Sequence, residues 1–246
     1  MNGHGTGGQD TGGQDTGGHG MGDLSVLDFA ALAAFLCAWV GYGLALERVG
    51  GTRTSLNRMM NRYRHAWAEQ IATREIRVVD TTINASLQNG TAFFASTSLI
   101  ALGSVLTLTR STDEVLTLFS TLPFGMQTTR ATWEIKVTGL ALIFAYAFFK
   151  FAWAYRLFNY GAILIGAVPP RGGDPDAIRR AVRRVARMNV VAGKHFNRGM
   201  YAFFFALAYL GWFVGPSVLL MTTAGVLIVM WRRQFSSSAR DSLSDV

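Results

Sequence analysis

Cysteine is almost absent. Cys37 is the only one in 246 residues, so no disulfide can close within the chain and no cysteine-pair metal site can be built. Standing inside an apolar run, Cys37 reads as a small buried hydrophobe. Histidine occurs four times: His4 and His19 lie in a glycine tail, while His65 and His195 have no second histidine one turn away, which leaves a bis-histidine haem unsupported. There is no phosphate-cradling glycine loop, and Ser96 and Thr97 lack a Gly-x-Ser-x-Gly frame. No catalytic, cofactor-binding or metal-ligating residue is therefore expected, and the chain reads as non-enzymatic. The most informative shortage is of charge. Only 15% of residues are charged against 50% hydrophobic, and apart from Asp28 the charges avoid four long stretches.

Those stretches run at about Ser25 to Leu46, Thr81 to Thr109, Val137 to Phe149 and Met200 to Trp231. Several approach the ~20 apolar residues that a helix needs to cross a ~30 Å hydrocarbon core. The last run, as one straight helix, would be ~48 Å long at ~1.5 Å per residue, well beyond that core. Gly215-Pro216 sits in its middle, and a break there yields two short spans in a tight hairpin. The expected fold is all-α, a polytopic transmembrane helix bundle of five spans, with four as the alternative, and with cytoplasmic amphipathic helices.

Orientation follows from the arginines. Glu47 to Thr82 carries seven of them, Arg156 to Arg198 carries nine Lys or Arg, and Arg232, Arg233 and Arg240 follow the last run, whereas Thr109 to Thr132 holds only Arg110 and Arg130. By the positive-inside rule the N-terminus faces out and the C-terminus in, as expected for a bacterial inner-membrane protein. The +8 formal charge is spread around the runs and not gathered in one basic domain with interleaved aromatics, which argues against nucleic acid.

Three regions are expected: a disordered glycine-rich tail over 1–22, a transmembrane helical domain over 23–235, and a short polar tail over 236–246. The tail repeats Thr-Gly-Gly-Gln-Asp from Thr6 and Thr11 and cannot bury enough to offset its ordering entropy. Met21 offers a second start just before the first run. No Lys or Arg precedes that run and no small-x-small cleavage site follows it, so it reads as a retained helix and not a cleaved signal.

Two inside segments read as amphipathic helices. Asp174-Pro175-Asp176 supplies an N-cap, a proline at the first helical position and an acid in the first turn. Beyond it Ile178, Val182, Val185 and Asn189 form one stripe, with Arg179, Arg180, Arg183, Arg184 and Arg187 around the other side. Such a helix either lies on anionic lipid headgroups or presents a solvated basic face. Residues 52 to 78 give a weaker version.

One span carries a polar face. Asp80, Asn84 and Gln88 fall at i, i+4 and i+8, continued by Thr91 and Ser98, and should turn away from lipid toward other helices or a hydrated cavity. Lys150, Arg156 and Asn159, near the inner end of the next span, are the groups expected to answer it, with Asp80 paired to Arg156 or Lys150.

The strings Arg77-Val-Val-Asp80, Phe93-Phe94-Ala95-Ser96-Thr97-Ser98, Phe151-Ala-Trp153 through Arg156 to Asn159-Tyr160, Phe196-Asn197 through Tyr201, and Arg232-Arg233-Gln234-Phe235-Ser236 resemble the integral membrane family called domain of unknown function 599. The resemblance covers about residues 24 to 240 and implies a multi-pass membrane location. It brings no catalytic residues. Two functions are left open: a non-enzymatic scaffold or accessory subunit, with a membrane protein partner or a homo-oligomer, and a small transporter or channel whose polar path follows the second span.

Overall fold

The computed structural model describes residues 24–48, 55–110, 112, 114, 117 and 129–243. The glycine-repeat tail with His4, His19 and Met21, and Asp113 between α3 and α4, lie outside the described residues. Among the described residues the chain is helical without a strand. Its elements are α1 (Val26–Arg48), α2 (Leu56–Ile71), α3 (Val78–Arg110), α4 (Arg130–Gly166), α5 (Pro175–Tyr209), the single turn α6 (Gly211–Val214), α7 (Pro216–Phe235) and the single turn α8 (Ser238–Asp241).

Helix ends form where the local chemistry asks for them. Asp174 caps α5 by accepting from the amides of Asp176 (3.0 Å) and Ala177 (3.2 Å), with Pro175 opening the helix. The α4–α5 turn needs a left-handed residue, supplied by Gly172 at φ 87°. Arg77 closes the same corner from outside it: its guanidinium donates to the carbonyls of Val168 (2.5 Å) and Pro169 (2.8 Å), placing a cation at the carboxyl end of α4.

The 32-residue apolar run breaks at Gly215-Pro216, as its length required, and the chain reverses there. Thr222 of α7 donates to the Ala208 carbonyl of α5 across the hairpin (2.7 Å). Four segments are long and apolar enough to cross a membrane: Val26–Leu46, Val78–Arg110, Arg130–Gly166 and Pro216–Asp241. The fifth expected span, from Met200 to Gly215, is the apolar end of α5 continued by α6. It is not a separate helix, because nothing between Arg187 and Met200 stops one. The basic amphipathic segment and the fifth span are thus two halves of a single 35-residue helix.

That continuity divides the bundle into two layers. At membrane depth α1, α3, α4, α7 and the apolar half of α5 pack around Phe35, Phe151, Phe205 and Trp212, while Leu142, Phe149, Phe93 and Ile100 stand exposed on the outside, as lipid-facing side chains do. At the basic end α4, about 55 Å long for its 37 residues, and α3 run on past that layer. There α4 packs with α2 and the first half of α5 around Ala68, Ile71, Ile165, Val182 and Val185, and α3 is tied in by the bond from Trp67 to Asp80. The apolar stripe of α5 is spent on protein, and its arginines face out. Cys37, expected to be buried, is exposed on a cleft between α1 and α7.

Candidate functional site: a polar seam at the basic end

The i, i+4 face of α3 is buried as its periodicity requires: Asp80, Asn84 and Ser98 have no exposed surface. Asp80 Oδ1 accepts from the Trp67 indole of α2 (2.8 Å) and from Arg74 (2.5 Å) in the α2–α3 connection. Asn84 donates to the Phe158 carbonyl of α4 (3.0 Å), and Gln88 donates to Asn159 Oδ1 (2.5 Å). Thr91 and Ser98 turn back onto the carbonyls of Leu87 and Phe94 in their own helix.

Helix α5 reaches the same seam at Asn189, 1% exposed, which donates to Val185 O (3.2 Å). Gly161 of α4 makes room for both amides. A β-carbon there would stand 3.2 Å from Asn84 Oδ1 and 3.6 Å from Asn189 Nδ2. Asp80 Oδ2, Asn84 Oδ1 and Asn189 Oδ1 have no partner among the described residues. A buried acceptor left so costs about 1–3 kcal/mol, so the seam fixes which helices meet and in what register more than it adds stability.

The candidate residues therefore divide. Asp80, Asn84, Gln88 and Asn159 come together, but Lys150 and Arg156 do not answer them. Lys150 Nζ lies 5.0 Å over the Tyr146 ring, and Arg156 donates to the Tyr160 hydroxyl (2.7 Å) and covers its ring. The expected pairing of Asp80 with either cation is replaced by Arg74, which the α2–α3 turn delivers from six residues away. Trp67, Arg74, Arg77, Gly161 and Asn189 also belong to the site. Only Asn189, a polar residue on an apolar stripe, carried a signal of its own.

A second charged group, also unforeseen, closes the opposite end. Asp28 of α1 accepts from the Trp212 indole of α6 (2.7 Å), and Lys136 of α4, 6% exposed, donates to the Trp212 carbonyl (2.8 Å) beneath the same ring. Trp212 thus bridges an acid inside the first apolar run and a base at the edge of the third. Lys136→Met should lower the midpoint of thermal unfolding in detergent by removing the donor from a buried carbonyl, at about 1–3 kcal/mol. An unchanged midpoint would show that the contact contributes nothing.

The resemblance strings converge on the basic end. Arg77 and Asp80 latch α4 and α2 onto the start of α3. Phe94 stacks on Phe151 (5.5 Å) and meets the edge of Phe196 (5.8 Å), tying α3, α4 and α5 one layer above the seam. Tyr201 accepts from Asn57 (2.7 Å), and Gln234 accepts from the Asn57 amide (3.4 Å), joining α5, α2 and α7. Long apolar helices joined by a buried polar seam define a polytopic helical membrane protein. A family model described as "Protein of unknown function, DUF599" matches residues 30–239, and the chain belongs to that family. No curated protein and no solved structure matches it.

Proposed function

We propose that this protein is a non-enzymatic scaffold or accessory subunit of a bacterial inner membrane, with the N-terminus outside, the C-terminus inside and five passes. One observation carries the reading: the amides of Asn84 and Gln88 are spent on the backbone and side chain of α4. A hydrated path along α3 would leave those groups facing a cavity. The most prominent cavities among the described residues are lined by other side chains, and Asp80, Asn84 and Gln88 line none of these. Polar contacts of this kind hold membrane helices together at about 0.6 kcal/mol each.

Purified protein reconstituted in liposomes should leave them as tight to ions and small solutes as protein-free vesicles. Flux that falls on Asn84→Leu would overturn the reading in favour of a transporter or channel. Orientation is checked separately by reporter fusions at Asp113, Asp174 and Ser238, expected to report outside, inside and inside. An outside result at Ser238 would replace the hairpin by one long fourth span.

The arginines of α5 belong to the same proposal. With Val182 and Val185 packed on α2 and α4, contact of Arg179, Arg180, Arg183, Arg184 and Arg187 with anionic headgroups or with a membrane partner is electrostatic alone, without an apolar face to insert. It should therefore fade as salt is raised well above ~0.15 M.

A further inference from the structure

Helix α1 packs chiefly on α7 and α5, and α4 on α3 and α5, which leaves a cavity of about 730 Å³ between α1 and α4 toward their outer ends. Its floor is a row of buried rings. Phe35 of α1 meets Tyr209 of α5 edge to face (5.5 Å), and Tyr209 meets Trp212 of α6 in the same way (5.3 Å). Trp212 is held in turn by Asp28 and Lys136, so the floor is fixed from beneath. Trp39 closes the inner end, its ring edge to face with Tyr146 (5.4 Å). Leu36 of α1 and Leu142 of α4 line opposite walls and are 46% and 66% exposed, so the cavity opens toward hydrocarbon.

The lining is apolar apart from three groups, and these select the ligand. Glu134 is paired with Arg130 (2.9 Å), and no lysine or arginine lines the cavity. A charged headgroup therefore finds no counter-charge there. The other two groups are the hydroxyls of Tyr209 and Thr138. Tyr209 is 3% exposed, and a β-carbon at Gly139 would overlap its hydroxyl, so that glycine lets the hydroxyl reach the α4 wall. Neither hydroxyl is hydrogen-bonded within the described residues, whereas Thr91, Thr107 and Thr223 spend theirs on carbonyls of their own helices. A buried donor without an acceptor is costly, and a ligand that supplies the acceptor removes that cost.

A cavity of this size, walled by rings and provided with a few polar groups, suits a small ligand. An acyl chain would fill the space but leave both hydroxyls against hydrocarbon. A flat ring carrying carbonyls answers them, sets its faces and edges against the surrounding aromatic side chains, and can trail an alkyl tail into the bilayer. We propose that the α1–α4 cavity binds one lipid-soluble quinone, a ring carbonyl accepting from the Tyr209 hydroxyl, Thr138 serving as the second donor, and the tail leaving between Leu36 and Leu142. The inference rests on membrane embedding of the bundle and not on the scaffold role, so solute flux through the protein would leave it standing.

Native mass spectrometry of the full chain in detergent is the measurement, with titration by a decyl-tailed benzoquinone and competition by decylbenzene and by phosphatidylglycerol. Tyr209→Phe keeps the ring in the floor and removes only the donor. Leu36→Trp fills the mouth from α1 and Leu142→Trp fills it from α4, so the test survives if one of them fails to fold. Gly41 faces the cleft toward α7, and a β-carbon there would meet nothing within 4 Å. Gly41→Leu is the matched control.

Wild type should bind one quinone per chain at least tenfold more tightly than decylbenzene, with phosphatidylglycerol failing to displace it. Tyr209→Phe should weaken the quinone about tenfold and leave decylbenzene unchanged, the mark of a lost hydrogen bond and not of a damaged floor. Leu36→Trp and Leu142→Trp should each abolish quinone binding, while Gly41→Leu keeps it. Equal affinity for quinone and decylbenzene, displacement by phosphatidylglycerol, or an unchanged Tyr209→Phe would each overturn the proposal. A dimer that takes up no quinone and is split by Leu36→Trp would overturn it too, by seating a second copy in the cavity.

Discussion

Arg74→Gln should destabilise the protein more than Asp80→Asn, although the two residues form one ion pair. The reason is unequal burial. Asp80 has no exposed side-chain surface, whereas Arg74 keeps 38% of its own. Removing the arginine strands a carboxylate among apolar helices with only the Trp67 indole to answer it, at about 2–4 kcal/mol, toward the low side of a fully buried pair because water reaches the arginine. Removing the charge of Asp80 leaves an amide oxygen that still accepts from Trp67 and an arginine that can turn to solvent, at about 1 kcal/mol. Thermal unfolding of both variants and of the double variant in detergent checks this. The double change should cost less than the sum of the singles. Equal single effects that simply add would remove the latch from the account.

The second large effect is expected at Gly199. A β-carbon there would stand 2.8 Å from two ring atoms of Phe151, which has no exposed surface and is held between the rings of Phe94 and Phe196. Gly199→Ala therefore forces apart α4 and α5 or the aromatic stack, at about 1–3 kcal/mol. Phe151→Leu in the same chain removes the ring edge and should recover part of the loss, a coupling that a simple gain in helix propensity would not produce. A more stable Gly199→Ala would mean that the stack yields freely.

Much of this architecture was legible where a single local rule decides. The long apolar runs mark α1 and α3, Asp174-Pro175-Asp176 marks the start of α5, and Gly215-Pro216 marks the hairpin because no bilayer accommodates 32 apolar residues as one straight helix. The run Val137 to Phe149 is only the middle of α4, which continues through Lys150 and Arg156 because their charged heads reach the rings beside them. Continuity of α5 was hidden by its change of surroundings: the stripe that looks free for lipid up to Asn189 is buried against α2 and α4.

The polar seam was half legible. Spacing alone puts Asp80, Asn84 and Gln88 on one face, and Asn159 was named with them. The partner of Asp80 was not legible, since Arg74 reaches it through a turn and no periodicity connects the two. Gly161 and Asn189 meet Asn84 only through the crossing of three helices, and Asp28 and Lys136 find each other through Trp212 from separate spans.

The scaffold role requires a dry contact at Asn84, and thiol accessibility reads that directly. In a Cys37→Ser background, Asn84→Cys and the exposed neighbour Thr82→Cys can be treated with a small hydrophilic thiol reagent in inside-out membrane vesicles. A sealed α3–α4 contact predicts rapid labelling at 82 and none at 84 on the same timescale. Labelling of 84 as fast as 82 would put water along α3 and contradict the scaffold reading.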